Sequence, residues 1–595
     1  MIRHGALCFI AAFVVQVACV CPDSTAGSPH RSPVDLVVSA DDSWLVTVNQ
    51  TSDSISLVNV EAGTVIDEEP VGRRPTAIAI TPDGKQVLVS ESSSGAVSIF
   101  DVRDGELSRV GAIEVGFEPY GIKVSPDGNL AYVALSASAE VAVLDLNSQK
   151  LIDKIPVGEW PRYLALSADG TRLAVGCSGY RGIWIIDTQT RELVRKDRCD
   201  ALNIGHLQMS NDGKHAYFPW VIYRRTPITA GNIRQGWVLA TRIARVGTEE
   251  RIRDVMSLDP RGRAVADPHG LAITSDEQQL VVSASGTHEL LIYRLPDLPF
   301  SDFGSGNNIP GSLLNNKERF DRIELGGRPL GLRMGKDDRF VYVSNYLLSS
   351  VQIVDLKEHR LVREIPLGGP TEPSLARQGE AIFFDAKYSL DQWYSCQSCH
   401  YEGGTNAITI DTLVDGSPRT YKTVLPLYNV GETSPWTWHG WQTDLQAAMK
   451  KSLTSTMLGP QPSDEDVEKL TAYLKTIGTP HNPFRNSDES ISEAATRGQR
   501  VFRSEQANCS SCHSGKHFTD GELHDVGTAG KSDKYEGYNT PTLIGVHRRV
   551  RFLHDGRAKS LDELLTGAHS PEKVSGSKKL SDKDLQDLIE YLKTL

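Results

Sequence analysis

Two pentapeptides of one pattern stand in the last third of this 595-residue chain: Cys396-Gln397-Ser398-Cys399-His400 and Cys509-Ser510-Ser511-Cys512-His513. The C-x-x-C-H spacing suits one chemistry above others. Two thiols separated by two residues add across the two vinyl groups of a haem, and the imidazole that follows reaches the iron as proximal ligand. The sequence therefore predicts two covalently bound haem c groups. Cys396, Cys399 and His400 hold the first; Cys509, Cys512 and His513 hold the second. The same C-x-x-C is half of many zinc sites. Zinc would require two further Cys or His at similar spacing, and neither pentapeptide has another cysteine nearby.

The elements that must position these motifs are themselves duplicated. Arg377-Gln378-Gly379-Glu380-Ala381-Ile382-Phe383 precedes the first motif, and Thr496-Arg497-Gly498-Gln499-Arg500-Val501-Phe502 precedes the second. Both units close alike, with Ser463 leading to Leu470 and Tyr473-Leu474-Lys475-Thr476, and Ser581 leading to Leu588 and Tyr591-Leu592-Lys593-Thr594. Each serine suits a helix N-cap with an acid three residues on. Apolar residues at i, i+3 and i+7 give a core-facing stripe. Two helical cytochrome c units are expected, over residues 375–477 and 494–595, joined by a Pro/Asn/Ser-rich linker over 478–493.

Upstream the repeat changes character. Residues 33–370 repeat a unit with an initial proline, an apolar strand, a Pro-Asp-Gly-like turn and further strands. Pro33, Pro75, Pro119 and Pro161 set a period of 42 to 44 residues, which is right for a four-stranded propeller blade. Seven turns, beginning with Ala40-Asp41-Asp42 and Thr81-Pro82-Asp83-Gly84, predict a seven-bladed β-propeller. Blades five and six carry insertions, roughly 219–260 and 296–322, either docking loops or solvated decoration. The fold class is thus multidomain: an all-β propeller followed by two mainly α-helical cytochrome c domains. Near the propeller axis, His206 and His269, with Tyr120 and Arg162 at equivalent positions, form a polar ring that either faces a haem or substrate or is structural.

Composition is globular, with 39% apolar and 23% charged residues and a net charge of −12. Acidity argues against a nucleic-acid partner. Residues 1–26 read as a secretory signal: Arg3 and His4 start it, Ala6 to Val20 is an apolar run broken by Gln16, and Ser24-Thr25-Ala26 offers small residues for cleavage. The run is too short for a membrane span, and lipidation at Cys19 or Cys21 is an alternative fate. Export to the periplasm or beyond agrees with haem c. It also permits a Cys177–Cys199 disulfide, with two buried free thiols as the alternative.

The propeller pattern resembles the YVTN family, whose signature Tyr342-Val343-Ser344-Asn345 approaches. The haem half resembles bacterial di-haem cytochrome c peroxidases and their relatives that oxidise protein side chains. The matching segments are Cys509–His513, residues 515–520 and 524–527, Asn539-Thr540-Pro541-Thr542-Leu543 and Phe552-Leu553-His554-Asp555-Gly556-Arg557 in the second unit. In the first they are Cys396–His400, Pro418-Arg419-Thr420 and residues 436–441. The resemblance implies one haem with an available iron site, where peroxide or a related small oxidant is reduced, and a second, six-coordinate haem that relays electrons from an external redox protein of cytochrome or cupredoxin type. It also implies a calcium ion between the units, near Asn539-Thr540-Pro541, although no acidic cluster lies there.

Departures from the family accompany the match. The glutamine expected ten residues past Trp438 falls on Ala448; the glutamate expected ten further on falls at Leu458, beside Thr456 and Met457. His439 then becomes the candidate base or iron ligand, or a core histidine among tryptophans, with Trp438 as a bridge between haems. No methionine follows Met457, so the second iron needs another ligand. His569, fifteen residues past His554, is the expected partner of His513, with His554 as runner-up. Bis-histidine ligation would make this a low-potential relay. The alternative function is a non-catalytic electron-transfer or sensor cytochrome whose propeller binds a partner protein.

Overall fold

A computed structural model describes residues 29–302, 306–414, 416, 418–535 and 537–595. The predicted signal, residues 1–26, lies outside the described residues. Seven antiparallel sheets follow one another from Pro33 to Pro366. Prolines open the first strands of six blades, at Pro33, Pro75, Pro119, Pro161, Pro268 and Pro329. Proline is tolerated there because the first residue of a strand owes no ladder hydrogen bond. At the other end of the first strand, Asp83 accepts the Thr81 hydroxyl at 2.7 Å and the Lys85 N–H at 3.1 Å, with Gly84 at φ 70° completing the turn. Asp127 and Asp169 repeat the device. Glycine at this corner meets the left-handed backbone without a Cβ penalty.

Blade five departs from the pattern. Its first strand is broken into Ala201–Leu202 and Gln208–Met209, both pairing with His215–Tyr223. Ser301–Asp302, from the blade-six insertion, crosses back to pair with Arg253–Ser257 at its edge. The ring is closed by contacts between the first and last blades. Arg333 meets Asp35 at 3.0 Å, and the Arg363 guanidinium donates to the carbonyls of Val60, Glu61 and Ala62. Cys177 and Cys199 are buried free thiols, so the disulfide alternative does not hold.

The two helical units repeat one frame. In the first, Leu375–Phe383 packs against Asp464–Leu474; in the second, Glu493–Phe502 packs against Asp582–Lys593. Both helix pairs cross at a glycine. A Cβ on Gly379 would lie 1.8 Å from the Lys469 carbonyl oxygen, and one on Gly498 would lie 1.8 Å from that of Asp587. Ser374, Ser463, Ser492 and Ser581 each cap their helix through a side-chain hydrogen bond to the third residue on.

The blade-five insertion is a docking element. Residues 224–238 join the second and third strands of the blade, on the face where each blade passes to the next. The short helix Ala230–Arg234 lies within this stretch. Ile228, Ile233 and Val238 are buried in one cluster with Phe383, Tyr394 and Ile408 of the first unit. The Ile228 N–H donates to the Asp411 carbonyl at 2.8 Å, and the Ala264 N–H to that of Asp391 at 3.0 Å.

Candidate haem sites and the propeller face that meets them

Cys396–Cys399 forms one turn of helix, capped by Ser395. The cap is reciprocal: the Ser395 hydroxyl accepts the Gln397 N–H at 3.1 Å, and the Ser398 hydroxyl accepts the Ser395 N–H at 3.0 Å. Cys396, Cys399 and His400 line an apolar cavity of about 410 Å³. Trp436, Trp438, His439 and Met457 line it too, as do Ala448 and Thr456 from the segment where a peroxidase glutamine and glutamate are expected. The helix is followed by His400, whose burial lowers it to about 4. Its imidazole is therefore neutral at pH 7, as a metal ligand must be. His400 Nδ1 is buried without a partner.

The second motif is built differently. Cys509–Ser511 is a 3-10 turn entered through Asn508 at φ 51°, with no side-chain cap. His513 is fixed by contact of Nδ1 with the Phe518 carbonyl at 3.1 Å. Burial, then His569, lowers His513 to about 4; burial also lowers His569. The two rings have centroids 6.4 Å apart and planes at 84°. Imidazoles on opposite faces of one metal, each bonded at about 2 Å, have ring centres about 6 Å apart. His554 is not part of this pair. It is buried on Tyr538 with centroids 4.1 Å apart, and its Nε2 lies 3.2 Å from the Tyr538 hydroxyl. Among the described residues neither cysteine pair belongs to a group with two further zinc ligands; the one cluster of potential ligands there is Cys512, Asp520 and His524. Unpartnered histidines, paired thiols and an apolar cavity fit haem.

Where the two units meet lies an aromatic group. Trp438 is buried and donates Nε1–H to the Thr423 carbonyl at 2.7 Å; its ring meets His554 at 6.2 Å and Tyr538 at 6.4 Å. His439 is sandwiched between Trp441 at 4.8 Å and Tyr538 at 5.2 Å, with Nδ1 3.0 Å from the Gly537 carbonyl. A carbonyl can only accept, so Nδ1 carries a proton, which leaves Nε2 as the acceptor nitrogen of the neutral tautomer. Lys422 of the first unit pairs with Asp533 of the second. Burial opposes that carboxylate's charge, but Lys422, the Gly530 N–H and the Tyr538 hydroxyl outweigh it and hold Asp533 at about 2. At the segment named for calcium, Asn539 donates Nδ2–H to the Pro435 carbonyl at 2.6 Å, while its Oδ1 is buried and unpartnered.

The propeller reaches the first motif directly. Asp267 Oδ2 accepts the Ser395 hydroxyl and Oδ1 the Ser398 hydroxyl, each at 2.6 Å. Burial raises the Asp267 carboxyl, opposed by those hydroxyls and then by Arg328 and His288. Asn203 donates to the Ser398 carbonyl at 2.9 Å. The two residues after His400 enter the propeller mouth: Arg162 lies 3.8 Å from the Tyr401 ring centre, and Glu402 takes a hydrogen bond from Tyr120 and an ion pair from Arg74 at 2.9 Å. Burial opposes the Glu402 charge, but Arg74, Arg162 and Tyr120 hold it at about 2. Glu118 pairs with Arg548 of the second unit. His206 and His269 sit deeper, against Tyr163, with His269 Nε2 3.1 Å from the Tyr163 hydroxyl.

Sequence reasoning had singled out residues that follow the blade-opening prolines. The side chains that grip the cytochrome units are largely those just before them: Arg74, Glu118 and Asp267, at φ 53°, 59° and 50°, with Arg328 over Phe384 at 3.5 Å. Left-handed backbone is rare outside glycine, and here it turns each side chain off the end of its blade. The signal was a varied, often charged residue before a repeated proline.

Comparison with known proteins accords with this architecture. Residues 25–209 match the family model of the YNCE-like beta-propeller, and residues 373–494 and 498–594 match that of the di-haem cytochrome c peroxidase. The chain joins a YNCE-like propeller to a di-haem cytochrome c peroxidase domain. Curated relatives include hydrazine synthase subunit gamma of Kuenenia stuttgartiensis, 28% identical over 279 residues, which are 38% of this chain and 79% of the relative. Methylamine utilization protein MauG of Methylorubrum extorquens is 25% identical over 285 residues, 39% of this chain and 80% of its own. Cytochrome c551 peroxidase of Nitrosomonas europaea is 22% identical over 278 residues, 38% of this chain and 81% of its own. A solved chain of Kuenenia stuttgartiensis hydrazine synthase shares the fold at a TM-score of 0.50 and 23% identity, over 56% of this chain and 97% of that one. A di-haem oxidoreductase follows from the family, with haem as its cofactor.

Proposed function

We propose that this chain is an exported di-haem c-type cytochrome that reduces a small oxidant, of which peroxide is the type, at its first haem with electrons relayed through its second. Cys396 and Cys399, and Cys509 and Cys512, would hold the two haems by thioether links; His400 and His513 would ligate the irons, with His569 as second ligand of the second. The single observation that carries the reading is an asymmetry. His513 has a second imidazole at 6.4 Å, whereas His400 faces an apolar cavity without a ring contact to another histidine among the described residues. Haem supplies electron transfer and an iron site for the oxidant when bound.

The chain's own residues supply the rest. Apolar side chains make up most of the cavity wall. His439, with Nδ1–H spent on Gly537 and its ring fixed between Trp441 and Tyr538, keeps Nε2 to take a proton from a bound oxidant. Trp438 meets His554 of the second unit and lines the first cavity, which supports an aromatic bridge between the two units. Electrons arrive from an external cytochrome or cupredoxin. The signal-like residues 1–26 support export, and among the described residues no helix is long and apolar enough to cross a membrane. The unpartnered Asn539 Oδ1 is an oxygen ligand that suits calcium. Ala448, Thr456 and Met457 in the first cavity favour the second reading, a non-catalytic electron carrier or sensor. Carbon monoxide or cyanide separates the two. A Soret shift of one haem is the expected result; no shift in any redox state leaves only the carrier.

A further inference from the structure

We propose that the propeller is the proximal half of the first haem site, with Asp267 as the residue that positions the Cys-x-x-Cys-His turn and sets a buried negative charge beside it. The inference rests on the di-haem reading above and deepens it. Four observations converge. Both Asp267 oxygens accept serine hydroxyls of the motif at 2.6 Å. Those same hydroxyl oxygens accept the N–H groups of Gln397 and Ser395 at 3.1 and 3.0 Å. The Asp267 oxygens are the acceptors of both hydroxyl protons, and two donors favour the ionised carboxyl against the burial that raises it. Asp267 and both serines are buried, at 9%, 1% and 2% exposure. Asn203 ties the same turn from blade five, and Arg74 and Tyr120 hold Glu402 on its far side.

Such a network does two things. It removes freedom from the turn that carries both thioether sulfurs and the proximal imidazole, because the capping hydroxyls can no longer rotate. It also favours the ferric over the ferrous form, since a fixed negative charge in a low-dielectric interior stabilises the state with more positive charge. Among the described residues no propeller side chain hydrogen-bonds the second motif, so the effect belongs to the first haem alone.

The test is a spectroscopic redox titration of the full-length protein that resolves the two haems. Asp267→Asn keeps the shape and removes the charge. At a fixed solution potential it is expected to raise the ferrous-to-ferric ratio of the first haem about tenfold, equivalent to about 59 mV for one electron, with the second haem unmoved. Ser398→Ala keeps the charge, removes one hydroxyl, and should move the first haem by less than Asp267→Asn. An unchanged ratio in a folded Asp267→Asn protein that carries both macrocycles overturns the proposal, as does an equal shift of both haems. If Asp267→Asn does not fold, Asp267→Ser, which also removes the charge, is titrated in its place, and an unchanged first-haem ratio there overturns it instead. A wild-type mass lacking two macrocycles sinks the haem reading itself, and this inference with it.

Discussion

The two haem-binding units share a frame and differ in what surrounds the motif. Each begins and ends with a helix, and each helix pair crosses at a glycine whose missing Cβ lets backbones touch, at Gly379 and at Gly498. Within that frame the first motif is a capped helical turn gripped by Asp267 and Asn203 of the propeller. The second is an uncapped 3-10 turn held within its own unit, with His569 across from His513. One unit spends its surroundings on enclosing a cavity, the other on a second imidazole. A duplicated fold thus builds two different surroundings around one repeated Cys-x-x-Cys-His motif.

The largest test strikes the shared frame. Gly498→Ala places a Cβ against the Asp587 carbonyl and should cost about 3 kcal/mol. It should melt the second unit in calorimetry while leaving the first haem's spectrum intact; simultaneous loss of both would show that the units do not fold separately. Next comes the second imidazole. His569→Ala should convert the second haem from a six-coordinate spectrum to one that binds carbon monoxide, and free imidazole should restore the original. An unaltered spectrum would remove His569 from the iron.

The seam between the units gives a smaller, pH-dependent effect. Asp533, held near 2 by Lys422 and its other donors, lies below its ordinary value of about 3.9. Its contribution is therefore fully present above about pH 4 and is lost as pH falls through about 2. Acid unfolding followed by tryptophan fluorescence should lose this limb in Asp533→Asn; identical acid profiles would dissolve the claim. Smallest is the cap. Ser395→Ala should cost about 1 kcal/mol and loosen only the first motif, since Asn508 makes no equivalent bond in the second.

Much of this molecule was legible in its residues, and the legible parts have a common character. Pro119 and Asp127 announce a blade because strand entry and hairpin turn are decided within a few residues. Gly379 and Gly498 lie within the repeated segments 377–383 and 496–502, but their close helix crossings needed the partner helices. The blade-five insertion was visible as excess length, but its role waited on Ile228 and Val238 meeting Phe383. At the propeller mouth, Tyr120 and Arg162 of the polar ring meet Glu402 and Tyr401, while Arg74, Glu118 and Asp267, just before the blade-opening prolines, add contacts that the sequence reading does not name. His554 was named as runner-up ligand, and its stacking on Tyr538 could not be read from spacing.

By itself the sequence determined the paired thiol and imidazole motifs, the seven-fold strand repeat and the paired helical frames, because residue spacing, turn geometry and apolar periodicity act over a few bonds or one element. Only the tertiary structure decided that Asp267 meets Ser395 and Ser398 across 128 and 131 residues of chain, and that His569 turns toward His513. Those contacts depend on how rigid bodies dock, which no local pattern encodes.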